Sequence, residues 1–213
     1  MTAPQLNDTL SQIFSKENGW EHGPMFYCGD KEQASYMSKK IAGTTYVVSA
    51  TSHDLSEDTS SEATMAGGRS VVQTLKDITT NYPEGETKVL IPIAQANNYG
   101  PCGKFGSRGH LVLLEVNINN GALTNATLHD SKGGMLDHLY SGADRLHRML
   151  NNGTLPNTSG FSVDVEHRGE QSLLNGKDCG RFTTYYAHEI TEHGNLEQAS
   201  KAGARIFFNS NFG

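Results

Sequence analysis

Cys179, His110 and Asp130 are the side chains of this 213-residue chain whose types and order can build a nucleophile. A thiol attacks as its thiolate, so it needs a base to take its proton. An imidazole base in turn needs a partner that holds its tautomer and stabilises its charge. Cys179 stands in NGKDCG, residues 175–180, just ahead of an aromatic, helix-like run. A helix N-terminus carries partial positive charge and free N–H groups, and both lower a thiol's pKa. Asp178 is placed to cap that helix through its side chain. The N–H groups near Cys179 can form part of an oxyanion hole, and Gly180 lets substrate backbone approach closely.

These residues are far apart in sequence, so the fold must bring them together. His110 opens HLVLLEVN, a strand over 110–117, and follows a glycine-rich loop, Gln95–Gly109. Ala122–His129 reads as a returning strand, and Asn119-Asn120-Gly121 is a hairpin turn signal. Asp130 ends the returning strand. Hairpin strands are antiparallel neighbours, so His110 and Asp130 belong at one end of the sheet.

The rest of the chain supplies the frame. Gln5–Lys16 reads as a short helix, Lys31–Ile41 as a helix ended by Gly43, and Thr44–Ala50 as a strand. Ser52–Thr64 is a polar, acidic loop. Val71, Val72, Leu75 and Ile78 lie at helical spacing within Gly68–Tyr82. Lys88–Ala94 is a short buried strand, Met135–Leu150 an amphipathic helix, and Phe161–Glu166 an alternating strand. Gly180–His193 and Leu196–Ala204 read as helices, and Arg205–Asn209 as a closing strand. No repeat or domain boundary stands out. The expectation is one domain over residues 1–213, with 1–24 as an N-terminal extension. Its class is α+β, a central mixed or antiparallel sheet flanked by helices.

Composition excludes several functions. A net charge of −6 argues against nucleic acid or an anionic membrane as main partner. Three widely spaced cysteines do not make a disulfide framework. No apolar run approaches the roughly 20 residues that cross a bilayer, and no secretory signal is visible. His188 and His193 are five apart in HEITEH, so they do not share a helix face for one metal. Lys104 is not followed by Ser or Thr, so the 100–109 segment is no phosphate loop. No metal or cofactor is expected.

In their order, four pieces resemble the SUMO-specific and deubiquitinating cysteine peptidases of clan CE. They are Ile91-Pro92-Ile93, His110 opening LVLLEV, Leu128-His129-Asp130-Ser131, and Asn175-Gly176-Lys177-Asp178-Cys179-Gly180. The family's tryptophan after the histidine is Leu111 here. Its oxyanion glutamine lies six positions before the cysteine; Gln171 lies eight before Cys179, and Asn175 is a nearer, shorter candidate.

The resemblance implies a papain-like domain that cleaves ubiquitin or a ubiquitin-like modifier after its C-terminal glycine. Cys179 would attack, His110 would act as base, and Asp130 would orient it. Gln171 or Asn175 would hold the oxyanion, with Leu111, Gly180 and Asn175 lining a channel for a Gly-Gly tail. The protein is expected to be a monomer, acting in the cytoplasm of a eukaryotic host after secretion from a bacterium, or otherwise cytoplasmic. Two other outcomes stay open: an effector-type acetyltransferase using the same cysteine, and an inactive module that binds a modifier without turnover.

Overall fold

The computed structural model describes residues 3–28, 31–53, 70–95, 110–132, 161–171 and 178–212. The frame is an eight-stranded mixed sheet. It contains β1 (Glu21–His22), β4 (Tyr36–Ile41), β5 (Thr44–Ser49), β6 (Ser52–His53), β7 (Glu86–Gln95), β8 (His110–Asn119), β9 (Ala122–Lys132) and β10 (Val163–Gln171). The strand order is β1-β4-β5-β7-β8-β9-β10, with β6 also pairing on β7. A separate ribbon joins β2 (Met25–Cys28) to β3 (Lys31–Ala34). The helices are α1 (Ala3–Ile13), α2 (Val71–Asn81), α3 (Cys179–His193) and α4 (Lys201–Phe212), with a 3-10 turn at Lys16–Asn18.

Period-2 alternation decides what each face meets. Leu90, Leu111 and Leu113 pack with α1, α3 and α4, where Leu6, Phe14, Phe182 and Tyr186 are buried. Val89, Ile91, Val112, Leu114 and Val116 pack on the other face with Val71, Leu75 and Ile78 of α2. The central strands are therefore continuous apolar runs, covered by helices on both sides. Ser70 caps α2, its side chain accepting from the Gln73 N–H at 3.1 Å.

Three expectations are corrected. Lys31–Ile41 is not a helix but β3 and β4, and Gly43 ends no helix. Ala42 and Gly43 have φ of 49° and 96°, the backbone of a tight hairpin turn that suits glycine. The six register pairs between β4 and β5 outweigh the helix propensity of KEQASYM. Arg205–Asn209 is likewise no strand but the middle of α4, because Ala204, Phe207 and Phe208 are buried at helical spacing. Of the expected loop Ser52–Thr64, Ser52 and His53 instead form β6; residues 54–64, the expected helix Met135–Leu150, the loop segment 96–109 and Cys102 lie outside the described residues.

One end of the sheet gathers several chain segments. β7 and β8 are antiparallel, pairing Gln95 with His110. β9 runs back along β8, pairing His129 with Leu113. β10 lies parallel to β9, pairing His167 with Asp130. The start of β8 and the ends of β7, β9 and β10 thus share that end.

Candidate active site

The hairpin brings His110 and Asp130 into contact. His110 Nε2 donates to Asp130 Oδ1 at 2.7 Å, and the two side chains are only 11% and 5% exposed. Burial strengthens this contact, because little water competes for either partner. Cys179 is the first residue of α3 and is 6% exposed. The His110 side chain and the backbone at Leu111 and Gly180 lie near enough to its sulfur to favour the ionised form. Nε2 is committed to Asp130, so the ring nitrogen left to serve the sulfur is Nδ1.

Opposing effects set the thiol's acidity. Burial is the largest and pushes the Cys179 thiol up. Hydrogen bonding from His110, the Leu111 backbone N–H, the His110 charge and the Gly180 N–H together outweigh it. The thiol ends below the ordinary 9.0. The arrangement places the thiol between a histidine and the N–H groups of a helix start, surroundings that favour its ionised form.

The remaining sequence candidates fall unevenly. The Leu111 side chain is 4% exposed and packed in the core; what it turns to the sulfur is its backbone. Gly180 is buried in the first turn of α3. Asp178 occupies the N-cap position, but its side chain makes no capping hydrogen bond. With ψ near 0° its backbone is not in the extended conformation that side-chain capping favours. Gln171 ends β10 across from Lys132; its side chain, like Asn175, lies outside the described residues. His188 stacks on Phe207 with centroids 4.6 Å apart, and His193 lies 4.0 Å from Glu189. Among the described residues, no group of three or more histidines, cysteines or carboxylates is arranged to hold a metal. No described helix is long and apolar enough to cross a membrane.

The structure also shows residues that the pattern of motifs did not reveal. His167 is largely buried beside the pair, its Nδ1 3.7 Å from Asp130 Oδ2. Between the sheet and α3 runs a polar belt. Lys88 pairs with Glu115 at 2.7 Å. His129 contacts Glu115 through Nε2 at 2.9 Å and Glu166 through Nδ1 at 2.8 Å. Arg168 donates to Glu166 at 2.6 Å and Glu170 at 2.9 Å, and the Tyr186 hydroxyl donates to Glu170 at 2.7 Å. Lys88 and Arg168 also donate to the backbone carbonyls of Gly194 and Leu196, just past the end of α3. The belt thereby ties β7–β10 to the helix that starts with Cys179. Its sequence signal was Glu166-x-Arg168-x-Glu170, alternate charges on one strand face.

No protein-family model and no curated protein matches the sequence. Solved structures do resemble the fold. One crystal structure of the Legionella pneumophila effector protein RavZ aligns with a TM-score of 0.56 at 14% identity, covering 99% of this chain and 60% of that one. A second aligns at 0.57 and 13% identity, over 99% and 61%. A third, RavZ in complex with human LC3B, aligns at 0.56 and 12% identity, over 97% and 53%. The chain therefore spans about 60% or less of the RavZ chains it matches. At such identity the likeness is one of architecture: a mixed α+β fold with a central sheet flanked by helices, of papain-like type.

Proposed function

We propose that this chain is a thiol hydrolase that cleaves a ubiquitin-like modifier after its C-terminal glycine. The observation that carries the reading is the buried His110–Asp130 hydrogen bond, 2.7 Å long, beside a thiol whose pKa is lowered at a helix N-terminus. The Cys179 thiolate attacks the glycine carbonyl and forms a tetrahedral intermediate. Backbone N–H groups at the start of α3, joined by Gln171 or Asn175, hold its oxyanion. His110 passes its proton to the departing amine as the C–N bond breaks. Water, deprotonated by His110, then attacks the thioester and frees the modifier's carboxylate and the thiol. Asp130 holds the imidazole for both proton transfers. In this reading the backbone of Leu111 and of Gly180, rather than a side chain, borders the approach of the tail.

Support for the modifier class comes from the RavZ structure in complex with LC3B, a ubiquitin-like protein. The likeness to a bacterial effector supports a place of action inside a eukaryotic host cell. One catalytic domain, with α1 built into its core, fits the burial of Leu6, Leu10 and Phe14.

Modifier probes with an electrophilic C-terminus test the reading. The panel comprises LC3-type, ubiquitin and SUMO probes, incubated with the native chain and with Cys179→Ala. At least one probe is expected to form a covalent adduct at Cys179, lost in the variant. Reversible binding with no adduct would mark a non-catalytic module. Labelling of Cys179 by acetyl-coenzyme A, with no modifier adduct, would mark an acetyltransferase.

A further inference from the structure

Asp130 has two carboxylate oxygens, and among the described residues a histidine lies against each. Oδ1 accepts from His110 at 2.7 Å. Oδ2 lies 3.7 Å from His167 Nδ1. A carboxylate held at one oxygen can still turn about that contact, and a histidine it orients turns with it. Fixing the second oxygen removes this freedom, which is why orienting groups need support of their own.

The backbone around His167 is arranged to hold it there. β10 runs in unbroken register with β9 from Val163↔Ala126 to His167↔Asp130. Next to it, Glu166 is tied to His129 at 2.8 Å, which locks that register. The ladder then breaks: β10 advances from His167 to Gln171 while β9 advances only from Asp130 to Lys132. Gly169, with φ of 73°, lies inside this bulge. Bulges re-aim side chains at the ends of ladders, and here the last paired residue before the bulge is the one facing Asp130. The His167 side chain is 12% exposed and that of Asp130 5%, so water screens their interaction poorly. At 3.7 Å the contact is electrostatic, longer than a direct hydrogen bond. The shorter bond stays with His110, so His167 steadies the carboxylate without taking it over.

We propose that His167 is a positioning residue for the thiol chemistry, fixing the plane of Asp130 from the oxygen opposite His110. The proposal rests on the reading of Cys179, His110 and Asp130 as the reacting set.

The test needs no knowledge of the substrate. Alkylation of Cys179 by iodoacetamide is followed across pH by peptide mass mapping, so that Cys28 and Cys102 do not interfere. The full chain is compared with His110→Ala, Asp130→Asn, His167→Ala, His167→Asn and His167→Gln. His167→Ala is expected to slow Cys179 alkylation at neutral pH by about tenfold, at the low end for a group that orients a functional histidine from behind. The midpoint of its pH profile is expected to rise. His167→Asn restores most of the rate, because its amide nitrogen takes the place of Nδ1; His167→Gln, which reaches the place of Nε2, does not. Should the alanine variant not fold, the contrast between Asn and Gln decides. A wild-type rate in folded His167→Ala, or equal rates for Asn and Gln, overturns the role of His167 and leaves the triad reading standing if His110→Ala and Asp130→Asn are slowed. Wild-type rates in those two variants would instead overturn the triad reading itself.

Discussion

His129 and Asp130 are neighbours on β9, yet they belong to two histidine–carboxylate constellations on opposite faces of the sheet. On one face, His110 spends Nε2 on Asp130 and turns its other side to the Cys179 thiol. On the other, His129 faces Glu115 with one nitrogen and Glu166 with the other. Both imidazoles are buried and both touch carboxylates at under 3 Å. Only the first leaves a nitrogen for a third group. A histidine–carboxylate contact is therefore no mark of chemistry by itself; what the second nitrogen faces decides. Two carboxylates make a clamp, whereas one carboxylate and a nearby thiol suit the base proposed above.

The sharpest way to break this contrast is to delete each histidine in turn. His110→Ala is expected to lower probe-adduct formation at Cys179 by at least about a thousandfold, as loss of a member of the proposed triad would. Stability should fall as well, by about 1–3 kcal/mol, because buried Asp130 then faces His167 only at 3.7 Å. His129→Ala is expected to lower stability without the chemical loss. It leaves buried Glu115 with Lys88 alone and should cost about 2–3 kcal/mol in chemical denaturation. Adduct formation in the protein that remains folded should stay near wild type. Equal losses of activity from both substitutions would dissolve the distinction.

Lowering the pH separates the two regions again. Burial alone would raise the Glu115 carboxyl, but hydrogen bonds from His129 and Lys88, and the charge of both, bring it below the ordinary 4.5. A carboxylate with a depressed folded pKa adds stability that is fully present above its unfolded value. That stability is lost as pH falls through the lower folded value. Denaturation midpoints should therefore hold from pH 7 down to about 5, near the ordinary carboxylate range, and then drop. Glu115→Gln should flatten the drop while lowering stability at neutral pH. The Cys179 thiol is also depressed, but its consequence is reactivity. Alkylation should persist below the ordinary thiol range and retreat upward in Asp130→Asn, while Glu115→Gln leaves it in place. A common shift in both variants would mean that the belt and the thiol titrate as one unit.

How much of this was legible follows from range. The hairpin β8–β9 was, because Asn-Asn-Gly is local turn chemistry between two apolar strands, and it predicts which strand ends meet. The start of α3 was legible for the same reason. Lys31–Ile41 was misread because its pairing with β5 is a tertiary fact, and Gly43 signals a helix stop and a hairpin turn equally well. Asp178 was expected to cap α3 from its type alone; its backbone dihedrals, invisible in sequence, decide otherwise. The belt was hidden more deeply. Lys88, Glu115, His129, Glu166 and Tyr186 come from five elements, and each reads alone as an ordinary surface residue. Even the strand carrying Glu166, Arg168 and Glu170 reads in sequence only as far as Glu166, where the alternation of FSVDVE ends. His167 was missed with it, since only the parallel register of β10 places it across from Asp130.

The smallest expected effect lies at the far end of the belt and sharpens the comparison most finely. Tyr186 is 1% exposed, and its hydroxyl donates to Glu170 at 2.7 Å. Burial, followed by the hydrogen bond to Glu170 and that group's charge, drives the phenol's pKa far upward, so it stays a donor at every working pH. Tyr186→Phe keeps the ring, which packs beside Phe182 and Tyr185, and removes only the O–H. Glu170 retains Arg168 at 2.9 Å, so the loss should be about 1–2 kcal/mol, the cost of one hydrogen bond to a charged acceptor. Tyr186 lies two turns along the helix from Cys179, on a segment held by apolar packing at Phe182, Ala187 and Ile190. The Cys179 alkylation rate should therefore be unchanged within about twofold, because a stability cost of this size need not tilt a well-packed helix. A several-fold fall in that rate, with the melt lowered only as expected, would show that the clamp does more than hold. It would mean that the belt sets the aim of α3, and that the two constellations flanking Asp130 work as one.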